Sequence, residues 1–200
     1  MRKHILAVCF IAIVAKGYLF SGQDTNTNFR LATWGISQEA VTKLEGKGPD
    51  RKEKNNVGLD ILAFKGTAGG LDCYYAYFFA EDKLVEGRYA FVETHTNKNS
   101  YIDDFKSVKA SLTEKYGKPT EDDTIWRNNL YKDDPSEWGM AVSVGHLIYQ
   151  AKWTAIDTKI FLQLKGDNYK FTHVVQYTST LPEHLDLVKK AEEKAKKNIW

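Results

Sequence analysis

The side chains that could perform chemistry are few and are scattered along the chain. Beyond residue 22 the histidines are His95, His146, His173 and His184, and no two of them lie within five residues of each other. Their spacing matches neither a His-Glu-x-x-His zinc motif nor a Cys/His ligand set. The sequence therefore predicts no metal site.

A nucleophilic hydrolase is the enzyme class that these residues come nearest to. Ser143 and His146 are close in sequence, but no Gly-x-Ser-x-Gly motif is present, and residues three apart in a strand point to opposite faces. Cys73 lies in an apolar, strand-like segment, which favours a buried, unreactive thiol. A hydrolase would need His95, His146 or His173 to meet an acid and a nucleophile in one cleft.

Phosphate and calcium motifs are also missing. Gly66, Gly69 and Gly70 are followed by neither a helix nor Gly-Lys-Ser/Thr, as a phosphate-binding loop requires. The acidic segments 121–123 and 133–137 lack the Asp-x-Asp-x-Asp-Gly pattern of a calcium loop. We therefore expect no cofactor and no enzymatic activity.

The composition is that of a folded, water-soluble protein. The chain has 200 residues, of which 42% are hydrophobic, 27% charged and 13% aromatic. These values exclude intrinsic disorder, a collagen-like chain and a polytopic membrane protein. Without residues 1–22 the chain keeps 25 basic and 26 acidic side chains, a net charge of −1, so no nucleic-acid partner is expected.

The N-terminus has the features of a secretory signal peptide, predicted over residues 1–22. Arg2 and Lys3 precede ten apolar residues, Ile5 to Val14, and Lys16 ends this run well short of the ~20 residues that span a bilayer. Cys9 lies inside the run, where it is not a lipidation site. We expect an exported protein, periplasmic or extracellular, with an uncleaved N-terminal anchor as the alternative.

The first half of the chain predicts one helix followed by strands. Ser37 is a typical helix N-cap, Ile36 and Val41 fit a hydrophobic staple, and Gly46 ends the helix. Residues 47–56 are charged and are predicted to form a loop. The predicted strands are 58–65, 71–79 and 84–93, of which the last two form a hairpin.

The second half repeats this order. Ser100 is predicted to cap a helix with Asp103 in capping-box position, and the helix buries Ile102, Phe105, Val108 and Leu112. The predicted strands are 124–131, 139–144, 147–153, 158–165 and 169–179. A closing helix over 182–198 presents Leu185, Val188, Ala191 and Ala195 on one side.

The predicted fold class is α+β, an antiparallel sheet with helices on one face. The expected organisation is a signal peptide at 1–22, one α+β domain at 23–180 and a C-terminal helix at 181–200. A weak internal repeat relates residues 29–95 to residues 100–180. If the two segments are repeats, we expect them to pack side by side in one continuous sheet.

The segment Trp34-Gly35-Ile36-Ser37-Gln38-Glu39-Ala40-Val41 resembles a bacterial envelope pattern in which a Trp-Gly turn leads into a capped helix and then a hairpin. The small outer-membrane lipoproteins of the SmpA/OmlA type and the tandem-repeat β-lactamase-inhibitor-protein fold share this order. The resemblance covers residues 29–92 and, more loosely, 100–179. It implies a protein-binding envelope module. The lipoproteins carry a lipidated cysteine after the leader, and this chain does not.

The aromatic side chains are the candidate contact residues for a partner. Exposed Trp and Tyr side chains are favourable anchors in protein interfaces. Three hypotheses remain: an exported module that binds another envelope or secreted protein through its sheet, a module that holds a small ligand or lipid between sheet and helices, and a hydrolase with dispersed site residues. The candidate partner-binding residues are Trp138, Trp126, Tyr75 and Tyr77.

Overall fold

The computed structural model of the protein describes residues 27–197. The predicted signal peptide at 1–22, Cys9 within it and Trp200 lie outside the described residues. Among residues 27–197, no helix has both the length and the apolar character needed to cross a membrane.

The described chain is built on one eight-stranded antiparallel sheet, which confirms the predicted α+β class. The order of the strands across the sheet is β1-β2-β3-β4-β8-β7-β6-β5. Each neighbouring pair is antiparallel. The strands are β1 Arg51–Lys54, β2 Asp60–Ala68, β3 Leu71–Ala80, β4 Lys83–Phe91, β5 Glu121–Trp126, β6 Leu147–Ala155, β7 Thr158–Asp167 and β8 Lys170–Ser179.

The sheet consists of two halves that meet at β4 and β8. In each half a helix is followed by four strands that pair mainly with their sequence neighbours. The two halves join through the ladder from Glu86↔Thr178 to Ala90↔Val174. This order agrees with the arrangement expected of two side-by-side repeats, and the origin of the halves by duplication stays a prediction.

Three helices lie on one face of the sheet, which we call the inner face. They are α1 (Gln38–Glu45), α2 (Ser100–Tyr116) and α3 (Trp138–Ser143). The apolar stripe predicted for α2 is confirmed, because all four of its residues are buried. The main core contains Val41, Ile102, Phe105, Val108, Leu112, Ala141, Val142 and the inward side chains of the strands.

The C-terminal helix α4 (Pro182–Lys197) lies on the opposite, outer face and packs against β3 and β4. A second, smaller cluster joins its Leu187, Val188 and Ala191 to outward side chains such as Phe78. The predicted stripe is wrong at Leu185, which is 49% exposed. The sequence of β3 accounts for this second core, because Tyr77 and Phe79 on one face pack in the main core while Phe78 and Ala80 on the other face pack in the smaller cluster.

Local signals placed α1 correctly. Ser37 accepts a hydrogen bond from the Ala40 N–H at 3.2 Å, and Gly46 ends the helix with φ +65°. The turn at Asn168 and Tyr169 has positive φ at both central residues. Such two-residue turns match the right-handed twist of the strands that they join.

The structure also corrects predictions of secondary structure. The strand predicted over 124–131 is β5, which begins earlier and ends at Trp126. The charged segment 47–56, predicted as a loop, contains edge strand β1, whose four residues are all exposed. Residues 139–143 of the predicted strand 139–144 lie in α3, and Val144 is its C-cap. The cap of α2 is Asn99 rather than Ser100, and the Asn99 side chain makes no capping hydrogen bond.

A tertiary contact explains two of these errors together. The Asn99 side chain accepts a hydrogen bond from the Gly139 N–H at 2.6 Å and donates to the carbonyls of Pro135 and Ser136. It therefore fixes the start of α3 instead of capping its own helix. A short apolar run such as 139–144 cannot be distinguished as helix or strand by periodicity alone.

Candidate functional site

Two of the four candidate partner-binding residues are buried in the inner core. Tyr75 and Tyr77 are 3% and 1% exposed. Both hydroxyls donate hydrogen bonds to the Glu45 carboxylate at the end of α1. The surface of the described residues therefore leaves almost none of these two side chains accessible to a partner, and their role in binding stays a prediction.

The other two candidates, Trp126 and Trp138, form one aromatic pair. Their ring centroids are 5.9 Å apart in an edge-on arrangement, and both side chains are half-buried against the main core. The Trp138 indole donates to the Lys132 carbonyl at 3.1 Å, which closes the loop before α3. The pair lies at the β5 edge of the inner face, far in the sheet order from Tyr75 and Tyr77. A partner-binding role for it stays a prediction.

The hydrophobic cluster between α4 and the outer face of the sheet does not extend onto β6, β7 and β8. Among the described residues, the helix whose apolar side chains pack on the outer face is α4, and its cluster draws only on the first half of the sheet. At the centre of this surface the outward side chains are half-buried, whereas Lys159 and Lys165 nearer its borders are exposed. We call this surface the open face and define it by Gln150, Lys152, Phe161, Gln163, Val174, Gln176, Arg88 and Ala90.

The register places apolar and amide side chains next to each other across the open face. Phe161 pairs with Gln176, and Gln163 pairs with Val174. Val174 in turn faces Ala90 across the β4–β8 junction. Both halves of the sheet therefore contribute to one mixed surface, which is the type of composition found in non-obligate protein interfaces.

A hydrogen-bond network fixes the polar side chains at the border between the open face and α4. Arg88 donates to Glu86 at 2.6 Å and to Gln176 at 3.3 Å, while the Gln176 amide donates to Glu86 at 3.1 Å. Burial raises the pKa of Glu86, although the charge of Arg88 and its hydrogen bond act in the opposite direction. The Arg88 guanidinium also lies over the Phe78 ring at 4.8 Å. These side chains are held in place before any partner arrives, which reduces the entropy lost on binding.

The edges of the sheet are less suited to binding than its face. Strand β1 consists of four charged residues, and β5 begins with three acidic ones. Charged residues on edge strands oppose the addition of a strand from another chain. The open face is therefore the candidate site of the sheet.

A hydrolase would need a histidine, an acid and a nucleophile in one cleft, and among residues 27–197 the structure brings only the first two together. The His95 Nε2 atom lies 2.6 Å from an Asp104 carboxylate oxygen, so one histidine does meet an acid. The cleft beside this pair is lined by Tyr101, Tyr169 and His173 among others, but by no Ser, Thr or Cys. His146 packs against Tyr131 instead. The Ser143 hydroxyl donates to the Met140 carbonyl at 2.8 Å, within its own helix.

One Ser–His pair was missed by sequence reasoning. The Ser179 hydroxyl lies 2.8 Å from His184 Nδ1, and the two residues are 1% and 6% exposed. The Ser179 oxygen also accepts the Leu181 N–H at 3.3 Å, just before α4. Burial lowers the pKa of His184. The pair joins the last strand to α4 and is closed to a substrate.

Within residues 27–197 no group of three or more His, Cys, Asp or Glu side chains is arranged to hold a metal ion. The absence of a metal site stays a prediction.

Cys73 is buried, as predicted, with 2% of its surface exposed. Burial raises the pKa of the thiol to about 11, with the Arg30 charge acting against this and Asp72 adding to it. A thiolate is needed for nucleophilic attack.

In a Cys9→Ser variant we therefore expect Cys73 to react with a maleimide at pH 7.5 at least ~100-fold more slowly than in urea. Equal rates in the native and unfolded protein would contradict this.

Comparison with known proteins gives no relative. No protein-family model matches the chain, no curated protein matches it, and no solved structure matches it.

Proposed function

We propose that this protein is an exported, non-enzymatic module that binds another envelope or secreted protein through the open face. The observation that carries the proposal is that α4 packs on the outer face of the first half of the sheet, whereas the second half keeps a half-buried mixed surface. The predicted leader at residues 1–22 supports the location. The near-neutral charge of the remaining chain argues against nucleic acid as the partner.

The composition of the open face supports a protein partner. Phe161 and Val174 supply apolar area at its centre, and Arg88 with Gln176 supplies oriented donors and acceptors beside it. Aromatic and arginine side chains are enriched among residues that dominate protein-binding energies. We also propose that the two halves are repeats, because each consists of a helix followed by four strands of the sheet and the β4–β8 ladder joins them side by side.

Site-specific photo-crosslinking in the source cells tests the proposal. A benzophenone amino acid at position 161, at the centre of the open face, is expected to give a discrete adduct with one partner protein. The matched control is position 156, since Ile156 is 86% exposed in the turn between β6 and β7. The charged variant Val174→Arg is expected to lower the yield of the 161 adduct at least ~10-fold without loss of folding. Equal adducts from positions 161 and 156, or none from 161, would contradict the open face as the binding site.

A further inference from the structure

A cleft opens where the two halves of the sheet separate. The β4–β8 ladder ends at Ala90↔Val174, while β8 continues to pair with β7 as far as Lys170. Phe91 on β4 and His173 on β8 therefore lie beyond their shared ladder. The space between these strand ends and α2 is a cleft of about 350 Å³, which lies within the ~300–1,000 Å³ usual for small-molecule sites. We call it the junction cleft.

The walls of the junction cleft are flat aromatic rings. Tyr101 of α2 and Phe171 of β8 are stacked with centroids 3.8 Å apart and planes 14° apart. Phe91 packs against the His173 ring at 4.5 Å. Tyr169, which is 64% exposed, also lines the cleft. Such walls favour a planar ligand, because ring faces bury a large area and stack in preferred offset or edge-on geometries.

One side chain in the wall of the cleft, His173, has a buried nitrogen without a hydrogen-bond partner among residues 27–197. His173 is 5% exposed, and its Nε2 atom makes no hydrogen bond within the described residues. An unsatisfied buried polar atom is costly, so native structures rarely keep one without a reason. Burial lowers the pKa of His173 to about 4, so the ring is neutral at pH 7. A neutral imidazole nitrogen donates or accepts a hydrogen bond according to its tautomer.

The charges around the cleft do not select an ion. Asp104 is engaged by His95 at 2.6 Å, and Glu93 accepts a hydrogen bond from the Asp72 N–H. Lys170 lies at the same cleft with the opposite charge. Carboxylates and a cation at one cleft favour a ligand without net charge.

We propose that the junction cleft binds a neutral, planar heteroaromatic molecule whose ring nitrogen forms a hydrogen bond with His173 Nε2. The rings of Phe91, Tyr101 and Phe171 supply the stacking surface. Because Nε2 is buried, this hydrogen bond requires a side chain of the cleft wall to move aside on binding. This site is on the inner side of the sheet junction and is independent of the open face.

Titration of the full-length protein with benzimidazole, followed by two-dimensional NMR, tests the site. Benzimidazole carries both an N–H donor and a ring-nitrogen acceptor, so it matches either tautomer of His173. Indane has a similar bicyclic shape and no nitrogen. We expect saturable shifts at Phe91, Tyr101, Phe171 and His173 with benzimidazole. Binding should be at least ~10-fold weaker for indane, because indane leaves the buried Nε2 atom without a hydrogen-bond partner.

A variant and a wild-type signal provide two independent controls. His173→Phe keeps a buried ring and is expected to weaken benzimidazole binding at least ~10-fold while leaving indane binding unchanged. In the wild type, the side-chain Nε2 resonance of His173 is expected to move with benzimidazole and to stay with indane, so the test holds even if the variant does not fold. Equal affinity for the two compounds, or no saturable shift at the cleft up to ~10 mM, would overturn the proposal.

Discussion

Replacement of Glu45 by Ala is expected to lower the free energy of unfolding by about 3 kcal/mol. The Glu45 side chain is 4% exposed and accepts hydrogen bonds from Arg30 at 3.1 Å, from Tyr75 at 2.9 Å and from Tyr77. Its loss leaves a cation and two phenols without their partner, and removal of one member of a buried ion pair costs ~3–5 kcal/mol. The Arg30 side chain is 23% exposed and can regain some hydration, so we expect the lower end of that range.

Urea denaturation of the wild type and of Glu45→Ala measures this effect. The matched control is Glu39→Ala, the same substitution on the same helix at an exposed position in its first turn. There we expect a loss below ~1 kcal/mol, since the residue contributes mainly through the helix dipole. Similar losses at both positions would show that the Glu45 network does not stabilise the fold.

The contribution of Glu45 should also depend on pH. Burial acts to raise the pKa of Glu45, but hydrogen bonds from Tyr77, Arg30 and Tyr75 and the charge of Arg30 hold it below its ordinary value. The folded protein therefore binds this proton less readily than the unfolded chain, so the stabilisation is present above the ordinary pKa, ~4.3, and is lost as the pH falls below it. The difference in stability between wild type and Glu45→Gln should shrink between pH 5 and pH 3. A difference independent of pH would exclude a charged Glu45 as its cause.

Replacement of Phe29 by Ala is expected to cost about 3–5 kcal/mol, the range measured for large buried aromatic residues. Phe29 is 1% exposed and contacts the rings of Tyr77, Tyr89 and Tyr177 at centroid distances of 5.2, 5.0 and 5.3 Å. It lies ahead of the first helix and connects the start of the described chain to both halves of the sheet.

Gly87 provides a direct test of this packing. A Cβ atom at Gly87 would lie 2.2 Å from the Phe29 ring, so Gly87→Ala alone should cost ~1–3 kcal/mol through overpacking. In the Phe29→Ala background that space is empty. The double variant should therefore lose less stability than the sum of the single variants, by ~1–3 kcal/mol.

Gly166→Ala is the control for this double-mutant cycle. Its Cβ would meet the Val142 carbonyl oxygen at 2.3 Å, a backbone clash that does not involve Phe29. Urea denaturation should show that the losses from Gly166→Ala and Phe29→Ala add within ~0.5 kcal/mol. Additivity in the Gly87 cycle as well would contradict the contact between position 87 and the Phe29 ring.

Local sequence chemistry predicted the elements that depend on near neighbours. The hydroxyl of Ser37, the freedom of Gly46 to adopt positive φ and the spacing of the α2 stripe act within a few residues, so they are visible in the sequence. Edge strand β1 was missed because a strand exposed on both faces shows no hydrophobic alternation. Segment 139–144 was assigned wrongly because Asn99, 40 residues before Gly139, fixes the start of α3.

The candidate sites depend still more on distant contacts. The aromatic residues chosen from the sequence were Trp138, Trp126, Tyr75 and Tyr77, yet composition does not show which face of the sheet a helix covers. The alternation along β7 puts Phe161 on the other face of the strand from the buried Ile160 and Leu162. The sequence therefore indicates that Phe161 points outward. That α4 packs on the first half of this outer face became evident only from the fold.

The sequence by itself determined the α+β class, the position of α1, α2 and α4 and the main hairpins, because period, caps and turn residues act locally. The tertiary structure alone decided the pairing of β4 with β8, the side of the sheet on which α4 packs and the residues that line the junction cleft. Each of these depends on contacts between residues far apart in the chain, such as Ala90 with Val174. Such contacts form where the buried surface outweighs the entropy of closing a long loop, and no local pattern records that balance.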